Sequence, residues 1–222
     1  MASSMPTSPT WKYNPKTTGL VLIDVVNDFL AEGGKAYPLV KDALAKFGTI
    51  DNIQRLINTA REREIRIFYS GMSYTDEDFN TWKYQSGIHK KMFEQRMFEA
   101  GSWGADWLSG LAPKKGDIIC HPHMNIDVFA TTDLDTQLRQ HDIQDVIVAG
   151  MSSTLCVQST VRSAMERGYR VTAVRDASAA VGPPDLHDFV MKNEYPMIAH
   201  TVISTSEFAD NIESKIKTAL TG

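Results

Sequence analysis

The sequence predicts an α/β fold, a three-layer α/β/α sandwich around a mostly parallel sheet of about six strands. Two observations predict it. Short β-rich runs alternate with runs of helical apolar spacing along most of the chain, as crossover-linked parallel strands require. The first strand-like run is also apolar almost without a break, the pattern of a strand buried on both faces. One domain suffices for 222 residues. It is expected over residues 17–222, behind a flexible N-terminal arm, residues 1–16, rich in Ser, Thr and Pro.

The elements follow in order. Residues 19–26 read as the first strand. Residues 50–63 carry Ile53, Leu56, Ile57 and Ala60 at helical spacing, and residues 65–70 return as a second strand. Residues 71–113 show no period; Trp82, Phe93, Phe98, Trp103 and Trp107 are interleaved with Gly and charge there, so a long excursion with short helices is expected. Regularity resumes with a strand at 117–120, a helix at 132–140 and a strand at 145–150. A helix near 154–167, a strand at 170–175, a helix near 185–192, a strand at 198–204 and a helix at 207–220 complete the chain.

Composition excludes several function classes. Acidic residues number 27 against 23 basic, for a net charge of -4, and no basic block could neutralise a row of phosphates, so no nucleic-acid partner is expected. Apolar stretches are strand-sized and the N-terminus lacks the layout of a signal peptide, so no membrane span and a cytoplasmic location are expected. Cys120 and Cys156 are too few for a disulfide framework and have no CxxC partner for a zinc site.

Ligands of open parallel sheets bind beyond the carboxyl ends of the strands. Asp24 closes the first strand, His121 and His123 follow the strand at 117–120, and the run from Gly150 to Cys156 follows the strand at 145–150. A thiol on the opening turn of a helix meets free amides and the positive end of the dipole, which favour a thiolate. Cys156 is therefore either a nucleophile or a small core residue. Asp24 is either a partnered functional carboxylate or a structural cap or ion pair. Cys120, inside a strand, reads as packing, and the aromatic residues of the excursion are either satellite core or the walls of a cleft.

Four pieces of sequence carry a resemblance to the isochorismatase-like cysteine hydrolases over residues 19–212: Leu22-Ile23-Asp24 with Asn27-Asp28-Phe29; Phe129 with Thr132-Asp133-Leu134-Asp135 and Leu138-Arg139; Ala149-Gly150 with Cys156-Val157 and Thr160; and Gly168-Tyr169-Arg170-Val171 with Asp176-Ala177. The resemblance implies hydrolysis of a C–N bond in a small amide or carbamoyl compound. Asp24 would be the general base and proton donor, and Cys156 the nucleophile that forms a thioester. It also implies a cis Met151–Ser152 peptide, an oxyanion hole of the Ser152 and Cys156 amides, a substrate wall at Phe29 and, more loosely, another at Trp103. No cofactor is implied, the partner is a small-molecule substrate, and a homo-oligomer is expected.

Three departures stand out. His123 occupies the place of the family lysine, with His121 as its rival two residues earlier. The metal-binding Asp-x-His of the nicotinamidase branch is replaced by Gly71-Met72-Ser73-Tyr74, so no metal is expected. Val26 stands where a Gln is common. Two other functions compete: cleavage of an isochorismate-type vinyl ether, against which Cys156 itself speaks, and a catalytically silent member that binds a ligand or partner, for which the loss of the lysine speaks.

Overall fold

A computed structural model of the chain describes residue 9 and residues 11–213. The apolar runs become β1 Thr18–Ile23, β2 Arg66–Ser70, β3 Ile118–Ile119, β4 Asp145–Met151, β5 Arg170–Ala179 and β6 Thr201–Ile203. They form one sheet in the order β3-β2-β1-β4-β5-β6, parallel throughout. Every residue of β1 and β4 is buried. These central strands read as uninterrupted apolar runs because neither face meets water.

The helical segments among the described residues are α1 Asn27–Leu30, α2 Lys41–Phe47, α3 Thr49–Glu62, α4 Asp76–Thr81, α5 Gly87–Glu94, α6 Val128–Thr131, α7 Leu134–Gln140, α8 Cys156–Glu166, α9 Pro184–Asn193, α10 Tyr195–Ile198 and α11 Thr205–Asp210. In α3 the spaced residues Ile53, Leu56, Ile57 and Ala60 are all buried, so the apolar stripe faces the sheet. The β1–β2 and β4–β5 crossovers leave the sheet centre in opposite directions, and right-handed connections then put α3 and α8 on opposite faces. None of the helices among the described residues is long and apolar enough to cross a membrane.

Three stretches depart from the sequence expectation. The short α2 had no readable period; Gly48, in the left-handed conformation at φ 59°, separates it from α3. Ile198 ends α10 instead of opening a strand, because Pro196 in the first turn presets a helical φ. The terminal helix starts earlier, at Thr205, through a capping box between Ser204 and Glu207, and stops at Asp210. Ile212 instead bridges Tyr13, and the remainder of the expected helix, residues 214–220, lies outside the described residues. Tyr13 itself belongs to the expected arm. It is buried, packs 5.3 Å from the Phe208 ring and shares a 2.9 Å hydrogen bond with Thr172 Oγ1. Residues 1–8 and 10 of that arm lie outside the described residues.

Between β1 and β4 the chain order reverses, and the carboxyl ends of these two strands open the crevice where such sheets bind ligands. Gly150 allows the two strands to approach there. Its φ is 113°, and a Cβ would lie 2.1 Å from the Ile23 carbonyl oxygen.

Candidate active site

Asp24 ends β1 in the left-handed region, φ 52°, a conformation that Asp tolerates better than most residues and that turns the side chain out of the strand pattern. Its amide donates to the Ser70 carbonyl at 2.9 Å, which fixes the turn to β2. The carboxylate is fully buried. Oδ1 accepts from the Met72 amide at 2.7 Å and meets His123 Nε2 at 2.8 Å, whereas Oδ2, on the carboxylate that acts on the Cys156 thiol, meets no other hydrogen-bond partner among the described residues.

His123 reaches that carboxylate because the chain after β3 continues as an isolated bridge to Met72, with the His123 amide donating to the Gly71 carbonyl at 3.1 Å. The imidazole is fully buried, and its Nδ1 lies 2.6 Å from the Asn125 carbonyl. A carbonyl has no proton to give, so Nδ1–H is the donor. The variable proton of the ring is then the one between Nε2 and Asp24. Burial pulls the His123 pKa down, but the Asp24 charge, the Asp24 hydrogen bond and the Asn125 carbonyl together carry it upward. Asp24 and His123 thus form a close pair that is buried on both sides. His121 is elsewhere: its side chain is 80% exposed and faces Asp133 at 3.7 Å.

Cys156 is the first residue of α8, buried beside the pair. One ligand atom from each of Asp24, His123 and Cys156 falls within 4.8 Å of the others. Burial first, and then the neighbouring Asp24 carboxylate, push the thiol well above its ordinary pKa; the Ser152 and Cys156 amides directed at the sulfur only partly oppose this. The resting group is therefore a thiol, contrary to the thiolate that its helix-start position alone predicts. Cys120 lies off the site, buried, with a thiol pushed up to about 12 mainly by burial.

The segment carrying the two amides is pinned from below. The Met151–Ser152 peptide bond is cis. Ser153 Oγ lies 2.9 Å from His187 Nδ1, His187 Nε2–H donates to the Arg175 carbonyl at 2.8 Å, and Tyr195 Oη–H donates to the Ser153 carbonyl at 2.7 Å. Because the Arg175 carbonyl takes the His187 proton, Ser153 must donate to Nδ1. Burial lowers the His187 pKa, which suits that neutral tautomer. Sequence reasoning missed Ser153, His187 and Tyr195. A buried His and Tyr in helices far along the chain carry no pattern that links them to residue 153.

A cavity of about 80 Å³ opens onto Cys156. Phe29 lines it and Trp103 does not. Trp103 is 54% exposed, because its turn is held by the backbone: the Trp103 carbonyl accepts from Asn27 Nδ2 at 2.8 Å, and Gly104 abuts the Asp28 carboxylate. The second aromatic wall is Phe98, 5.0 Å from Phe29 and held at φ 56° by its amide's 2.6 Å hydrogen bond to buried Asp28.

An acid, an imidazole and a thiol thus gather at the carboxyl ends of a doubly wound parallel sheet, where such folds bind their ligands. The Isochorismatase domain family matches residues 18–207, and the chain belongs to that family of hydrolases. It is similar to the ureidoacrylate amidohydrolase RutB of Methylorubrum extorquens, 27% identical over 194 residues, covering 82% of this chain and 77% of that protein. Among solved structures, a cysteine hydrolase from Pseudomonas syringae pv. phaseolicola superposes with a TM-score of 0.78 at 24% identity, covering 95% of this chain and 98% of that one. N-carbamoylsarcosine amidase from Thermoplasma acidophilum shares the fold at a TM-score of 0.63 and 23% identity, covering 89% of this chain and 99% of that one.

Proposed function

We propose that this protein is a cysteine hydrolase that cleaves a C–N bond of a small amide or carbamoyl compound through a thioester on Cys156. The observation that carries the reading is the division of labour on Asp24: Oδ1 is held by His123 and the Met72 amide, while Oδ2, buried and without another partner among the described residues, remains to take a proton from the thiol. The curated amidohydrolase relative supports the bond type.

The cycle follows from that arrangement. The thiol proton passes to Asp24 Oδ2 as sulfur bonds to the substrate carbonyl carbon, and the carbonyl oxygen takes the negative charge beneath the Ser152 and Cys156 amides. Collapse breaks the C–N bond; Asp24 returns the proton to nitrogen, and the amine leaves. Water then attacks the thioester, giving a proton to Asp24, and the departing sulfur takes that proton back as the acid is released. His123 supplies positive charge beside Asp24 throughout, the task of the family lysine, but its charge can be lost with pH.

Cys156→Ala tests this. It removes one sulfur atom at a helix start, so the fold should persist by circular dichroism, while turnover in a screen of small amides and carbamoyl compounds should vanish. Turnover in Cys156→Ala equal to that of wild type would reject the reading.

A further inference from the structure

The cavity that opens onto Cys156 offers polar partners at one end. There the Ser152 and Cys156 amides are directed at the sulfur, and Asp24 lies beside it. Away from the sulfur the walls are hydrocarbon and thioether. Phe29 and Phe98 stand 5.0 Å apart, and Met72, Met92 and Met97 join them with further aliphatic groups. Among the described residues, Lys91 is the one ionisable lining side chain besides Cys156, and it is exposed to solvent. The backbone behind the walls is also engaged. The amides of Phe29, Leu39, Met97 and Leu155 donate to the carbonyls of Val26, Ala36, Met92 and Ser152, and those of Met72 and Phe98 donate to the carboxylates of Asp24 and Asp28.

We infer that the acyl group of the substrate is a small uncharged hydrocarbon, so that the site selects amides of short aliphatic acids over amides whose acyl group bears a hydroxyl, amine or carboxylate. In the thioester the acyl group stays on Cys156 while the amine departs, so the acyl group is the part that this cavity encloses. A hydroxyl or a charge set against these walls would give up its hydrogen bonds to water, and the wall amides have no proton left to offer in exchange. A methyl group in the same place has no such bonds to lose and gains by leaving water. The methionines, flexible and polarizable, close around apolar groups of differing shape. The cavity, about 80 Å³, keeps the group small. The bond that is cut rests on the thioester reading; the preference for hydrocarbon does not.

The test therefore does not depend on turnover. Isobutyramide and lactamide are nearly the same size and differ in that a methyl of the first is a hydroxyl in the second. Their binding is measured by calorimetric titration into Cys156→Ala, which keeps the walls and cannot form a thioester. Isobutyramide should bind about tenfold more tightly than lactamide. Adding Met92→Gln sets a side-chain amide of similar length on the wall and should bring the two affinities within about twofold of each other. Circular dichroism checks the fold, and Ile88→Thr takes the place of Met92→Gln if helix content is lost. Equal binding, tighter binding of lactamide, binding of neither, or a preference unmoved by the folded wall variant overturns the inference. Absence of the preference while wild type hydrolyses small amides through Cys156 rejects the hydrocarbon preference alone. Its presence in a protein whose wild type hydrolyses no amide rejects the thioester reading alone.

Discussion

His123 decides how the site responds to pH. Its Nδ1 faces the Asn125 carbonyl and its Nε2 faces Asp24, and its pKa is raised in the folded protein because Asp24 and the Asn125 carbonyl outweigh burial. The positive charge beside Asp24 is therefore present at low pH and lost as pH rises through that raised pKa. Turnover should fall over the same interval. His123→Lys, which keeps its charge across that interval, should hold turnover to higher pH, and pH–rate profiles of the two proteins check this. Superimposable profiles would show that His123 acts without its charge. His121→Ala should match wild type at every pH, since that side chain is exposed and remote from Asp24. The choice between the two histidines was not legible in the sequence. It is made by the bridge to Met72, a contact between loops beyond two strand ends. Asp24 and Cys156 were legible, because a polar residue that interrupts an apolar run at a strand end stands where such sheets bind ligands.

At the scale of elements, β1 and β4 must lie close enough for Asp24 and the Ser152 amide to serve one sulfur atom. Gly150 makes that approach possible, at a φ that side chains avoid and with no room for a Cβ against the Ile23 carbonyl. Gly150→Ala should destabilise the protein by at least about 3 kcal/mol in urea unfolding, from backbone conformation and steric overlap together. The loop pins make a finer case. Ser153→Ala removes the donor to buried His187 Nδ1 and should cost about 1–3 kcal/mol of stability. Its effect on turnover should fall on kcat more than KM, since in the proposed cycle the Ser152 and Cys156 amides serve the transition state. Long periodic elements such as α3 and the central strands were readable from sequence. The rims were not: α2 is two turns long, and the excursion offers eight aromatic residues with no period by which to prefer Phe98 over Trp103 as a cavity wall.

For the whole molecule, the buried pair links folding stability to pH. Because the folded pKa of His123 is raised above the ordinary 6.5, its contribution to stability is complete below that value and is lost as pH rises through the folded pKa. The unfolding free energy of wild type relative to His123→Gln should accordingly shrink from pH 6.5 upward, as read by urea titrations across that range. Below it, the substitution should cost about 3 kcal/mol, since it leaves Asp24 buried without its countercharge. The fold as a whole sets one thiol beside one carboxylate oxygen that has no other partner among the described residues. The mass of the Cys156 peptide, acid-quenched during turnover of a small amide, tests that directly. The peptide should carry the acyl group of the substrate in wild type, and Cys156→Ala should release no amine. An unmodified Cys156 peptide at every time point, with amine released by Cys156→Ala at the wild-type rate, would contradict it.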